Sequence, residues 1–232
     1  MMSEDYPIVM MGIPHLADID QKVVEAIYHY NPGNLENALK VLEIGCGNGR
    51  ATAELLSFRP DIRLIGIDNE PEFVKQARQT LWEPIEQKVL TIIEADALAY
   101  LGSVSENCFD IVVSVLTLHN FLGSCRNEVL RNIFRVLKPQ GLFVNGDKYP
   151  PDDPFEFYEV LQDHIAPFLG VLGSHGRFDL LKGVVLHELA DFAPDRIMKG
   201  KESLRTMSEI GYCECKFVYR KNFDAVLLGY KR

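Results

Sequence analysis

Three glycines at alternate positions follow a short apolar run and give this sequence its clearest chemical signal. The run covers residues 41–44, and Gly45, Gly47 and Gly49 come directly after it. Glycine tolerates positive φ and lets a ligand approach the backbone closely, while the start of a following helix offers free N–H groups to polar or anionic atoms. The pattern predicts a ligand-binding turn between a buried strand and a helix, although a tight turn without a ligand is still open at this point.

The spacing of these glycines separates two classes of cofactor. The dinucleotide-binding turn of nicotinamide-dependent dehydrogenases, G-x-G-x-x-G, would need a glycine at position 50, where this sequence has Arg50. The sequence instead reads E-x-G-x-G-x-G, which resembles the first motif of class I S-adenosylmethionine-dependent methyltransferases. The resemblance implies that this segment contacts the cofactor through Glu43, Gly45, Cys46, Gly47 and Gly49.

Acidic residues follow the next two predicted strands. They are Asp68, followed by Asn69, after the strand 63–67, and Asp96, followed by Ala97, after the strand 89–93. Ligands of open α/β sheets lie beyond the carboxyl ends of the strands, so we expect all four residues beside the glycine turn. Asp68 can accept two hydrogen bonds from the vicinal hydroxyls of a ribose, and the resemblance assigns Asp96 to the adenine amino group. Each has an ordinary alternative, a helix cap for Asp68 and an exposed turn for Asp96.

Two further segments extend the resemblance. Residues 109–120, a strand and its exit, resemble the fourth motif of the family and place Ser114 and Val115 in the cofactor site. Residues 135–144 resemble the helix, turn and strand that follow, with Gln140 where many members have glycine. The motifs together cover about 41–147 in the order of the family. They imply S-adenosyl-L-methionine as cofactor and S-adenosyl-L-homocysteine as product.

The chemistry that the resemblance implies is in-line displacement of a methyl group. A sulfonium methyl is already a good electrophile, so alignment and exclusion of water are the main requirements, and a base is optional. If the acceptor is a hydroxyl or an acidic carbon, His119 is the candidate base, because its ordinary pKa suits proton removal at neutral pH. A histidine that packs between the strand exit and the helix 125–137 is the alternative.

Other ionisable residues receive less specific predictions. Asp147 and Lys148, at the end of the fifth strand, would face the acceptor pocket, although a solvent-exposed pair is favoured. His164 lies on the apolar face of a predicted helix and is expected to be a core histidine. No metal is expected, because His187 and Glu188 lack the second histidine of a zinc-protease motif and the cysteines form no C-x-x-C pair.

Apolar periodicity predicts the elements that position these residues. The predicted helices are 16–30, capped by Asp18, then 50–58, 70–81, 125–137 and 201–210, and the predicted strands are 40–44, 63–67, 89–93, 109–115, 141–145, 214–219 and 223–230. Alternation of strand and helix favours a parallel sheet, and the short connection before the last strand favours an antiparallel hairpin. The expected fold is therefore α/β: a three-layer, doubly wound sheet of seven strands, mostly parallel with one antiparallel strand, plus a small helical cap.

The chain divides into three predicted parts. These are an N-terminal helical segment, 1–34, a cofactor-binding domain, 35–148 with 199–232, and an inserted helical cap for the acceptor, 149–198. In the cap, Pro167 is expected to kink or end the first helix, with a loop at Gly170, Gly173 and Gly176. Its phenylalanines, at 155, 157, 168, 178 and 192, suggest an apolar or aromatic small acceptor.

The amino-acid composition limits the classes of binding partner and the cellular location that we expect. The chain has 232 residues, 47% of them hydrophobic, and a formal net charge of -9, which disfavours a nucleic acid partner because such binding normally needs a concentrated basic patch. Five cysteines without a paired pattern are typical of reduced thiols, and no run reaches the roughly 18 apolar residues of a membrane span, so we expect a cytoplasmic protein. A homodimer formed through the cap is compatible with the sequence but not required by it.

Three other functions stay open at this stage. The chain could bind S-adenosylmethionine without transferring its methyl group, as a sensor or partner subunit. It could belong with relatives that make a carboxylated cofactor for tRNA modification, although the arginine such enzymes use has no match here. A nicotinamide-dependent dehydrogenase is the least favoured, because its third glycine is missing.

Overall fold

The computed structural model describes residues 5–13, 15–31, 33 and 38–232. The helices are α1 Tyr6–Met10, α2 Leu16–Tyr28, α3 Arg50–Phe58, α4 Pro71–Thr80, α5 Trp82–Glu86, α6 Ala97–Ser103, α7 Gly123–Val136, α8 Pro154–Ser174, α9 Phe178–Asp191 and α10 Gly200–Ile210. A 3-10 turn, Leu118–Asn120, precedes α7. The strands are β1 Leu39–Ile44, β2 Ile62–Asp68, β3 Leu90–Glu94, β4 Phe109–Val115, β5 Leu137–Lys148, β6 Tyr212–Lys221 and β7 Asp224–Lys231.

The seven strands form one sheet in the order β3-β2-β1-β4-β5-β7-β6. The pairs from β3 to β5 are parallel, whereas β7 runs antiparallel to both of its neighbours. The strand order reverses between β1 and β4, which is where open α/β sheets bind their ligands. The predicted seven-stranded fold with one antiparallel strand is confirmed.

Apolar side chains cover both faces of the sheet. One buried cluster joins the sheet to α2, α3 and α4, and a second joins it to α6, α7 and α10. Every residue of β4 is buried, as expected of a central parallel strand that has helices on both sides. This rigid sheet fixes the positions of the strand ends where the candidate residues lie.

Helices α8 and α9 are connected by His175 to Arg177, and they pack against α1 through a small core of their own. That core contains Val9 of α1, Phe168 and Leu172 of α8, and Val184 of α9. No helix in the described part of the chain is both long and apolar enough to cross a membrane.

Several local predictions were wrong. Helix α8 does not end at Pro167 and it includes Gly170 and Gly173, where a loop was expected, because its buried face extends beyond the proline to Leu172. Asp18 lies in the first turn of α2 rather than at its cap, which is His15 with a left-handed backbone. The predicted boundary between 1–34 and 35–148 lies outside the described residues.

The fifth strand is longer than the sequence predicts. It was expected at 141–145 but extends from Leu137 to Lys148. Gln140 adopts a positive φ of 65°, a conformation that glycine adopts readily. This backbone explains why many members of the resembling family have glycine at the position of Gln140. The C-terminal extension brings Asp147 and Lys148 to the ligand-binding edge of the sheet.

Candidate functional site

The glycine turn between β1 and α3 has the backbone that the sequence predicts. Gly45, Gly47 and Gly49 all have positive φ. A Cβ at Gly45 would overlap the side chain of Thr117, whereas a Cβ at Gly47 would meet no atom within 4 Å. Gly45 therefore allows close packing inside the protein, and Gly47 leaves open space beside its backbone.

Asp68 connects the glycine turn to the end of β2. Its Oδ2 accepts a hydrogen bond from the backbone N–H of Gly47 at 2.8 Å, and its Oδ1 accepts one from the N–H of Glu70 at 2.9 Å. Each carboxylate oxygen has a second lone pair, so Asp68 keeps acceptor capacity for a ligand. Asp96 caps α6 by accepting from the N–H of Ala99 at 2.9 Å.

A cavity of about 830 Å³ opens at this edge of the sheet, within the size range of small-molecule sites. Most of the predicted cofactor residues line it: Gly45, Cys46, Gly47, Asp68, Asn69, Asp96, Ala97 and Val115. His119, Lys148 and Glu188 line the same cavity. The cavity therefore joins the glycine turn to the exits of β4 and β5.

Three of the predicted cofactor residues do not line the cavity: Glu43, Gly49 and Ser114. Glu43 is buried behind the turn, where its Oε2 accepts a hydrogen bond from Thr52 at 2.6 Å and fastens α3 to β1. Burial raises the pKa of Glu43 to about 7. The hydroxyl of Ser114 is also buried and has no hydrogen-bond partner among the described residues.

His119 and Asp147 form a buried dyad at one wall of the cavity. Nδ1 of His119 lies 2.6 Å from Oδ1 of Asp147. The backbone N–H groups of Leu118 and Lys148 also donate to this carboxylate, at 2.9 and 2.8 Å. Burial alone would raise the pKa of Asp147, but His119 and the Lys148 N–H together hold it below its usual value.

The expectation that Asp147 and Lys148 form a solvent-exposed pair was wrong, since their exposed fractions are 0% and 4%. Nζ of Lys148 donates to Oε2 of Glu188 at 2.7 Å and to Oδ2 of Asp191 at 2.8 Å. These carboxylates outweigh the effect of burial and raise the pKa of Lys148. Helix α9 is thereby tied to the end of β5.

His164 belongs to the same network. It is fully buried, and its Nε2 lies 2.7 Å from the Oε2 of Glu188 that also accepts from Lys148. Burial would raise the pKa of Glu188, but His164 and Lys148 lower it to about 2. The prediction of a core histidine matches this position, because the ring packs against Phe168, Phe192 and Phe223 while Nε2 joins the polar network.

One group of side chains could in principle hold a metal ion. Ligand atoms of His187, Glu188 and Asp191 lie within 4.8 Å of one another. However, the ammonium of Lys148 already sits between the two carboxylates, where a metal ion would be repelled by it. The absence of a metal stays a prediction.

Glu188 and Asp191 were missed as site residues in the sequence. They belong to α9, which follows β5 by about 30 residues, and no short motif marks them. Their only signal is that they continue the buried face of α9 after Val184. The five cap phenylalanines, in contrast, do not line the cavity, and Phe155 and Phe178 are exposed.

Comparison with known proteins supports the fold and shows the family of the central segment. Residues 42–145 match the model of a methyltransferase domain, a segment that contains the glycine turn, Asp68 and Asp96. This matched segment is a methyltransferase domain of the class I S-adenosylmethionine-dependent type. The match ends before Lys148, so Lys148 and helix α9 lie outside the matched segment.

Individual relatives are distant. The hybrid PKS-NRPS synthetase poxE of Penicillium oxalicum is 31% identical over 58% of this chain and 3% of its own length. The uncharacterized methyltransferase C70.08c of Schizosaccharomyces pombe is 31% identical over 48% of this chain and 40% of its own length. A SAM-dependent methyltransferase structure from Archaeoglobus fulgidus superposes with a TM-score of 0.61 at 12% identity, covering 93% of this chain and 94% of the other. The chain thus spans less than half of either curated relative.

Proposed function

We propose that this methyltransferase transfers the methyl group of S-adenosylmethionine to a small-molecule acceptor by in-line displacement. The observation that carries the proposal is one continuous cavity that joins the glycine turn and Asp68 to the His119–Asp147 dyad. Residues 35–148 and 199–232 form the cofactor domain in this proposal, and residues 149–198 cover the acceptor. A cytoplasmic location and a homodimer stay predictions.

The residues at the glycine end fit the cofactor. Open space beside Gly47 admits a ligand close to the backbone, and Asp68 has lone pairs left for the two hydroxyls of a ribose. Asp96, at the end of β3, supplies a carboxylate for the adenine amino group. Asn69 and Ala97 complete the walls beside these two acids.

When bound, the cofactor supplies an electrophilic methyl group on a sulfonium sulfur. The protein aligns the reactants and excludes water. These two effects are the main contributions to lowering the activation barrier of methyl transfer. Helices α1 and α9 contribute apolar lining residues to the cavity, namely Val9, Met10, Leu180 and Val184. These apolar side chains, rather than the cap phenylalanines, support an acceptor with an apolar body.

His119 is the base of the proposed reaction when the acceptor must lose a proton. In this proposal Nδ1–H donates to Asp147, and Nε2, which lies 3.7 Å from Oδ2 of Asp191, takes up the proton. Because Asp147 also accepts two backbone N–H groups, the carboxylate cannot rotate away, and the imidazole keeps its orientation. Such a base typically accelerates proton removal about 100- to 10,000-fold.

Binding of S-adenosylhomocysteine to the Asp68→Asn variant tests the cofactor site. The amide loses the charge that strengthens hydrogen bonds to hydroxyls, so we expect affinity, measured by isothermal titration calorimetry, to fall about 10- to 100-fold. Glu94→Gln is the matched control, because Glu94 is exposed at the end of β3 and does not line the cavity. Unchanged affinity in Asp68→Asn would overturn the assignment.

A further inference from the structure

The acceptor end of the cavity carries more negative than positive charge. Its described lining includes Asp5, Asp179 and Glu188 as acids and Lys148 as a cation, and Arg177 lies beside the first two acids. Asp147 and Asp191 lie directly behind the wall and are also carboxylates. A cleft lined by one sign of charge raises the local concentration of ligands of the opposite sign.

The cations near this end already have carboxylate partners. Lys148 donates to Glu188 and Asp191, and Arg177 binds both Asp5, at 2.7 Å, and Asp179, at 2.9 Å. An acceptor with a carboxylate or phosphate would therefore have to displace an existing ion pair. A cationic acceptor would instead add to these pairs.

Glu188 offers a specific contact for such a cation. Its side chain lines the cavity and is only 3% exposed, and its Oε2 is occupied by Lys148 and His164. Its other oxygen, Oε1, accepts no hydrogen bond from the described residues. A charged oxygen that no protein group donates to, on a side chain that lines the cavity, is a strong acceptor for a ligand N–H.

Building on the proposed methyl transfer, we propose that the acceptor is an apolar amine, which Glu188 Oε1 holds as its ammonium and His119 deprotonates. The ammonium gives one proton to Nε2 of His119. The freed lone pair forms a bond to the methyl carbon while the carbon–sulfur bond breaks and its electrons stay on sulfur. The products are an N-methylated ammonium, S-adenosylhomocysteine and a proton, which His119 releases to water. The apolar body of the amine packs against Val9, Met10, Leu180 and Val184.

Matched probes separate an amine from its neutral and anionic analogues. We would titrate protein saturated with S-adenosylhomocysteine with hexylamine, hexan-1-ol and hexanoate, and with 4-phenylbutylamine and 4-phenylbutan-1-ol, by calorimetry. We expect each amine to bind at least tenfold more tightly than its alcohol, and the affinity for amines to fall as ionic strength rises. Equal affinity, tighter hexanoate binding, or no amine binding at millimolar concentration would overturn the proposal.

Two variants assign the preference to one residue. Glu188→Gln keeps an acceptor for Lys148 but removes the charge, so the amine preference over the alcohol should shrink at least fivefold. Glu159→Gln, on the exposed side of α8 and away from the cavity, should keep it. A preference that survives in Glu188→Gln would contradict the assignment even if amines bind.

Methyl transfer to the same probes, followed by mass spectrometry, separates this proposal from the one on which it rests. An N-methylated amine supports both. Methylation of phenols or carbon acids but not of amines would overturn the acceptor class and leave the methyltransferase function intact. A protein that fails to bind S-adenosylhomocysteine would overturn the proposed function itself.

Discussion

Asp147 determines which nitrogen of His119 carries the proton. Its Oδ1 lies 2.6 Å from Nδ1, and the neighbouring backbone N–H groups keep the carboxylate ionised and fixed. Histidine with its proton on Nδ1 presents a basic Nε2, which is the atom the proposed reaction needs. The contact thus links a local hydrogen bond to the ability to remove a proton.

Asp147→Asn should weaken proton removal without affecting the cofactor. The amide cannot reproduce the charged acceptor, so the Nδ1–H form loses its preference and kcat/KM for the methylated acceptor should fall about 100-fold or more. The 15N chemical shifts of His119 report the same change without any acceptor, as a mixture of tautomers. Asp110→Asn, which also removes a paired carboxylate but at the other end of β4, should leave these shifts unchanged. A single Nδ1–H tautomer in Asp147→Asn would show that another group orients the imidazole.

Sequence reasoning identified the residues that belong to local patterns and missed those that meet through folding. Gly45, Gly47 and Asp68 follow strands directly, so the topology of a parallel sheet brings them together. Glu188 reaches Lys148 from 40 residues away, through the packing of α9. No rule of spacing predicts that contact, and the burial of Lys148 depends on it.

At the scale of an element, the turn between β1 and α3 combines two different requirements for glycine. Gly45 packs against the Thr117 side chain, which follows β4, and so joins the two central strands at the switch point. Gly47 faces open space and donates its N–H to Asp68. The same motif therefore serves stability at one position and ligand access at the next.

Alanine at each position should separate these roles. Gly45→Ala forces a clash with Thr117 at a φ of 72°, so the free energy of unfolding should fall by about 2 to 4 kcal/mol. Gly47→Ala has no clash and should cost about 1 to 2 kcal/mol for its left-handed backbone, but its methyl group should weaken S-adenosylhomocysteine binding. Urea unfolding and calorimetry measure the two effects. Equal losses of stability, with unchanged binding in Gly47→Ala, would contradict this division.

Helix α8 shows why some element boundaries cannot be predicted from the sequence. Proline inside a helix removes one backbone hydrogen bond, so a kink or an end of the helix at Pro167 was expected. The helix continues because His164, Phe168 and Leu172 keep one face buried on both sides of the proline. The strands, by contrast, were predicted closely, since β2 to β4 are short apolar runs with clear ends.

At the scale of the whole molecule, the outer helices are joined to the sheet through charge as well as apolar contact. Their apolar core is small, with Val9, Phe168, Leu172 and Val184 as its buried members. The ion pairs from Lys148 to Glu188 and Asp191 connect α9 directly to β5. Removing one partner of a buried pair leaves an uncompensated charge, so this connection is sensitive to changes in ionisation.

Asp224 lies next to this network and should make the stability of the protein depend on pH. In the sheet, Asp224 of β7 lies opposite Lys148 of β5. Asp224 is fully buried, and neither of its carboxylate oxygens has a hydrogen-bond partner among the described residues. Burial raises the pKa of Asp224 to about 7, despite the attraction of Lys148. The folded protein therefore keeps a proton that the unfolded chain loses near pH 4.

Stability should fall as the pH rises from about 4 to 7, because deprotonation costs the folded state more than the unfolded one. Asp224→Asn removes the titrating carboxyl and with it this pH dependence. The free energy of unfolding of the variant minus that of the wild type should therefore be larger at pH 8 than at pH 5, by on the order of 2 to 3 kcal/mol. Urea unfolding at both pH values measures the difference.

Glu43, whose pKa is also raised to about 7, titrates in both proteins and does not affect the comparison. Asp163→Asn, on the exposed side of α8, should follow the wild type at both pH values. If the stability of Asp224→Asn also follows that of the wild type at both pH values, the carboxyl of Asp224 is ionised in the folded protein across this range. Lys148 then balances the charge of Asp224 as well as those of Glu188 and Asp191.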